Sequence, residues 1–151
     1  PEGAAAGVLK GLYRFQPAQG KKAAQVRLLG SGAILREVLA AAELLRSDYG
    51  VDAEVWSATS YSELQRDAIE VERHNRLQPQ APRRTSHVAQ CLAGAAPVVA
   101  ASDYVRAWPQ LIAPYLEASR FVALGTDGFG RSDTREQLRR HFEVDRAHIA
   151  L

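Results

Sequence analysis

The chain reads as a three-layer α/β fold, with helices on both faces of a mostly parallel five-stranded sheet whose first strand is antiparallel. Three observations predict it. Short apolar runs of strand length alternate with longer stretches whose apolar residues recur at helical spacing. Glycine- or serine-bearing turns join each run to the helix after it. Only the first run is followed by a polar turn instead of a helix. Strands alternating with crossover helices lie parallel and are covered on both faces.

Pro1 to Gly7 is Ala- and Gly-rich with one charge, a composition that buries little and reads as a linker from an upstream domain. Residues 8–151 then form a single domain. Gly11 to Phe15 and Ala24 to Leu29 are strands, and the polar Gln16 to Lys22 between them, with Pro17 and Gly20, predicts a hairpin that makes the first strand antiparallel. Gly30-Ser31-Gly32 leads into a helix with Ile34, Val38, Ala41 and Leu45 on its apolar stripe. A third strand, Ala53 to Ser57, precedes a helix capped by Ser60 with Glu63, whose buried stripe is Tyr61, Leu64, Ala68 and Val71. Pro79 and Pro82 end that unit. A short helix over Ser86 to Leu92 follows. Pro97 to Ala101 is the fourth strand, and a helix capped by Ser102 carries Tyr104, Trp108, Leu111 and Tyr115, kinked or restarted at Pro109. Phe121 to Leu124 is the fifth strand. It stops at a loop with three glycines in six residues, Gly125, Gly128 and Gly130, before a helix for which Asp133 and Glu136 have capping-box spacing.

With 151 residues, 46% of them hydrophobic, the chain can bury a core without staples. The lone Cys91 excludes an internal disulfide and suits a cytoplasmic protein. The longest uncharged apolar stretch, Cys91 to Ala101, is broken by Gly94 and Pro97 and is too short to span a membrane. The 19 basic and 17 acidic residues are intermixed, so nucleic acid is a poor partner.

Candidate chemistry is sparse. Gly30-Ser31-Gly32 lies where a phosphate could meet a helix start, but Leu35 replaces the third glycine of a dinucleotide fingerprint and no P-loop lysine follows. His87 and Cys91, four apart, could pair as base and thiolate, although a free cysteine is more often a small buried hydrophobe. His141, Glu143, Asp145 and His148 are metal-ligand types that straddle a helix end and diverge. Asp127 either serves as a general base or hydrogen-bonds the amides of its own loop. No self-sufficient catalytic, cofactor or metal constellation emerges. The loop Gly125, Thr126, Asp127, Gly128, Phe129, Gly130, Arg131 and Ser132 is read as a docking surface. Its glycines permit close approach, Phe129 is an aromatic anchor unless it folds back onto its own domain, and Arg131 can fork onto a carboxylate.

The string Gly125 to Asp133, with Phe142-Glu143-Val144-Asp145 closing the next helix, resembles the C-terminal domain of the homodimeric bacterial pyruvate dehydrogenase first component, related to transketolase. Leu28 to Gly32 into Ile34-Leu35-Arg36, Asp48 to Val51, Thr59 to Leu64 and Ser102-Asp103-Tyr104 agree in the same order. The resemblance implies a transketolase C-terminal-domain-like fold in an oxidoreductase that decarboxylates pyruvate on thiamine diphosphate and Mg²⁺ and acylates lipoyl groups. In that family the cofactor and its activating glutamate belong to upstream domains. This segment is therefore expected to bind no cofactor, to be inactive alone, and to serve assembly. Its implied partners are the upstream domains, the second subunit of a homodimer and, through the parent, the acyltransferase component. A free-standing αβα interaction or regulatory module is the alternative. His74, Arg76, Gln78 and the Arg84 to His87 segment depart from the family pattern and would make a contact there more polar. Family members usually continue beyond the position of Leu151 with another helix, so the chain is read as a fragment.

Overall fold

Runs of Val, Leu and Ala bounded by glycine or serine are too short for helices and form the central strands. In the computed structural model, which describes residues 4–20 and 24–151, the order is α1 (Ala4–Lys10), β1 (Leu12–Gln16), β2 (Val26–Gly30), a 3₁₀ turn (Gly32–Ile34), α2 (Leu35–Tyr49), β3 (Ala53–Ala58) and α3 (Tyr61–Leu77). There follow α4 (His87–Cys91), β4 (Val98–Ala101), α5 (Ala107–Gln110), a 3₁₀ turn (Ala113–Tyr115), β5 (Phe121–Leu124), α6 (Arg135–His141) and α7 (Arg146–Ala150). The sheet runs β1-β3-β2-β4-β5, with β1 antiparallel to β3 and the other pairs parallel.

Successive strand residues point to opposite faces, so Leu28 and Leu29, both fully buried, feed two separate cores. Leu29 joins Leu12, Leu64, Val88 and Ile112 on the face covered by α3 and α4. Leu28 joins Val38, Ala41, Val55 and Ile149 beneath α2 and α7. Removing a leucine side chain from water to this extent is worth about 2 kcal/mol. Ser60 caps α3 as its spacing to Glu63 predicts, and Ser86 caps α4, each hydroxyl accepting an amide of the first turn.

Three expectations are corrected. The hairpin does not form: β2 has both edges filled by β3 and β4, and β1 instead takes the free edge of β3, with Leu12 opposite Ala58. After β1 the chain reaches the start of β3, where Asp52 accepts from the amides of Gln19 at 2.9 Å and Gly20 at 2.6 Å. Residues 21–23 of the expected turn lie outside the described residues. The long helix after Ser102 is also absent. The Ser102 hydroxyl accepts from the Tyr104 amide, Tyr104 O accepts from Thr126 N, and the Arg106 amide donates to Asp127, so tertiary bonds consume the groups a helix would use. Finally, Thr134 caps α6 in place of Asp133, its hydroxyl accepting from Gln137 N while Asp133 accepts from Thr134 N. Both pairs have capping-box spacing, and the later residue, Thr134, is the cap, with its amide taken by Asp133. At the amino terminus, Ala4 to Gly7 begin α1 and Gly7 is buried against Tyr13, while residues 1–3 of the expected linker lie outside the described residues.

One carboxylate ties the second core together. Glu37 lies on the buried face of α2 and accepts from Arg139 at 2.9 Å, Arg146 Nε at 3.0 Å and the Arg146 amide at 3.2 Å. Burial raises the Glu37 carboxyl, but the Arg146 side chain and amide with the charges of Arg146 and Arg139 outweigh it, leaving the carboxyl below its usual value. A carboxyl depressed in the folded state adds stability above its unfolded pKa, and this is lost as pH falls through the folded value. Glu37→Gln should lower unfolding free energy by about 2 kcal/mol near neutral pH, with the deficit shrinking as pH falls below about 4.3. Urea denaturation of both proteins across pH checks this, and a deficit constant from pH 7 to pH 3 contradicts it.

Candidate docking surface at the carboxyl edge of the sheet

The register aligns the ends of three parallel strands, with Gly30 beside Ala101 and Ala101 beside Leu124. The loops after β2, β4 and β5 therefore emerge together, and backbone bonds bind their roots: Ser31 N donates to Ala101 O at 3.2 Å and Ser102 N to Leu124 O at 3.1 Å. Such an edge is where open α/β sheets bind other molecules.

The glycine loop has a fixed root and a free tip. Thr126 donates its amide to Tyr104 O at 2.9 Å and its hydroxyl to Asp103 O at 2.8 Å. Asp127 accepts from the Arg106 amide at 3.0 Å and pairs with the Arg106 guanidinium. Gly125 is required here, because a Cβ would lie 2.4 Å from Tyr104 O. From Gly128, whose φ is 88°, through Ser132 the chain is exposed, and Phe129 is 95% exposed and does not fold back onto the domain.

Asp127 thus holds the neighbouring loop in place of the amides of its own loop. The Arg106 side chain and amide keep its carboxyl below the usual range, which unsuits it as a base near neutrality. The Gly30–Gly32 turn does not fit a diphosphate: Ser31 N is spent on Ala101 O, and Leu35 and Val38 fill the space beside Gly30. No three His, Cys, Asp or Glu side chains among the described residues are grouped to hold a metal. His148 Nδ1 lies 2.8 Å from Asp145, so these two members of the set meet, while His141 packs edge-on against Phe142. Among the family departures, Arg76 and Gln78 are exposed, but His87 turns inward, its Nε2 2.9 Å from Leu12 O. A carbonyl only accepts, so that nitrogen carries the proton.

Sequence reasoning missed two elements of this site. Arg106 carried no motif, and its role depends on a partner 21 residues away. Glu37 had a local signal, a charge four residues before Ala41 and eight before Leu45 on the apolar stripe.

Cys91 lies 3.5 Å from His87 Nε2 and is half-buried; burial pushes its thiol up, against a smaller pull from Lys10. At neutral pH it should react with a disulfide reagent at least about tenfold more slowly than in the urea-unfolded chain, as thiolate depletion and shielding both predict. Equal rates in a stopped-flow comparison corrected for urea would sink the idea that it is structural.

Residues 11–145 match the family model described as the transketolase-like TK C-terminal domain. The pyruvate dehydrogenase E1 component of Cupriavidus necator is 50% identical over 153 residues, covering all of this chain and 17% of that protein. That of Escherichia coli K12 is 47% identical over 151 residues, with the same shares. The chain thus spans about 17% of the length of these curated relatives. Among solved structures, transketolase from Leishmania mexicana superposes with a TM-score of 0.61 at 20% identity, covering 96% of this chain and 18% of that one. A split-gene transketolase, an inactive β4 tetramer, superposes with a TM-score of 0.58 at 15% identity, covering 92% of this chain and 39% of that one. A five-stranded sheet with one antiparallel edge, the loops gathered at its carboxyl end and a match spanning most of its length agree: the chain belongs to the transketolase-like C-terminal domain family.

Proposed function

We propose that this chain is the C-terminal domain of a cytoplasmic, thiamine-diphosphate-dependent pyruvate dehydrogenase E1 component, in which it serves dimer assembly and domain docking. The observation that carries this reading is identity of 47–50% across the whole chain to E1 components of several bacteria, against 15–20% to transketolases of the same fold. The parent would oxidatively decarboxylate pyruvate and acylate the lipoyl groups of an acyltransferase component. Thiamine diphosphate and Mg²⁺ would be held by upstream domains, since the turn at Gly30–Gly32 does not fit them here. No described helix is long and apolar enough to cross a membrane.

Residues 125–132 are the proposed contact with the rest of the parent dimer. The exposed Phe129 and Arg131 and the pinned root at Asp127 support it, because a fixed root limits the chain that has to be ordered on docking to the tip. Phe129→Ala and Arg131→Ala in the 151-residue chain should change unfolding free energy by less than about 0.5 kcal/mol. In the parent they should weaken dimer association by about 1–4 kcal/mol. Thermal melts of the chain and sedimentation equilibrium of the parent, with activity followed in parallel, make the comparison. If the chain loses several degrees while the parent dimer is unchanged, the docking role is wrong.

A further inference from the structure

Between the glycine loop and α6 lies a crevice of about 650 Å³. It opens where the strand order reverses: β2 hands the chain to β3 on one side through α2, while its other neighbour, β4, hands it to β5. Ligands of open α/β sheets enter at that point because the loops on either side part from each other there.

The chemistry of the walls is specific. Ile34, Leu138, Phe142 and Val144 make an apolar floor. Of the three arginines at the rim, Arg139 is spent on Glu37, whereas Arg131 and Arg135 are exposed and have no ion pair among the described residues. Asp133 on the same rim is partly used, accepting from Thr134 N. Asp103 enters from the β4 side and opposes a second anionic group there, so an anion is directed to the two free guanidiniums. Phe129 borders the crevice between Gly128 and Gly130, which let its ring turn over a flat ligand. Free guanidiniums above an apolar floor select an anion on an apolar body.

We propose that this crevice binds a small organic anion, a carboxylate or phosphate on a flat apolar body. Arg131 and Arg135 take the anionic group, and Phe129 covers the body against the floor. Phe129 and Arg131 cannot serve the dimer contact and the anion at once, so the site belongs to the undocked domain and is tested in the 151-residue chain, with no dimer involved.

Amide NMR titrations with 1-naphthyl phosphate, 1-naphthoate, neutral 1-naphthol and inorganic phosphate test it. The result expected is saturable shifts at Gly128 to Arg131, Leu138 and Phe142 with at least one of the two aryl anions. Naphthol and inorganic phosphate should bind at least about tenfold more weakly, and the Arg131→Ala/Arg135→Ala double variant should lose about tenfold in aryl-anion affinity. Both arginines are exposed, so the variant should keep the wild-type spectrum elsewhere. Naphthol binding as tightly as the anions, affinity surviving the double substitution, shifts centred on another surface, or no saturation at millimolar concentration each overturns the proposal. The parent-dimer measurement on Phe129→Ala alone is read separately and decides only the docking role.

Discussion

The Glu37 carboxylate is the constraint on which the lower half of the molecule depends. Helices α6 and α7 have seven and five residues, too few to persist without tertiary contacts. Both are tied to the longer α2 through one carboxylate whose side chain is 8% exposed. Desolvating two charges costs nearly as much as their attraction returns, so the net gain over an apolar contact is small. What the arrangement adds is position: a forked guanidinium and a backbone amide can satisfy the same carboxylate only when the α6–α7 corner sits in one orientation on α2. That corner supplies Leu138, Phe142 and Val144 to the crevice. Its turn is itself strained, with Glu143 at φ 57°, a conformation that costs about 1 kcal/mol in a residue other than glycine.

On the other face, the core is built from side chains and leaves little to charge. Leu12, Leu64, Val88, Leu92 and Ile112 are all at most 1% exposed, and they come from four different segments. The contrast separates two tasks. Apolar packing holds the sheet and its helices, and ion pairs set the angle of the small elements near the carboxyl edge. Arg106 with Asp127 repeats at the glycine loop what Arg139 and Arg146 do at Glu37.

Local physics made the strands, the cap at Ser60 and the glycine loop legible, because each rests on residues within a few positions of one another. The failures share the opposite property. Which strand β1 would join depended on β2 having both edges occupied, a fact about β4 lying some eighty residues away. The missing helix after Ser102 depended on Thr126 and Asp127 claiming Tyr104 O and the Arg106 amide. Even the glycine loop was only half-read: its composition announced close approach, but the division between a pinned root at 125–127 and an exposed tip required the partner loop.

That division also explains why a protein would keep an almost fully exposed phenylalanine. Leaving such a ring in water forgoes about 2 kcal/mol that burial within the domain would supply, and isolated exposed aromatics of this kind mark contact surfaces when other features converge on them. Here the convergence is positional. The ring stands at the carboxyl edge, beside the reversal of strand order, on a tip whose root is fixed by hydrogen bonds that Thr126 donates and Asp127 accepts. A floppy tip would have to be ordered at each encounter, at about 1 kcal/mol or more per residue. Fixing the root while leaving the tip uncovered confines that cost to the few residues from Gly128 to Ser132 and spares it at 125–127.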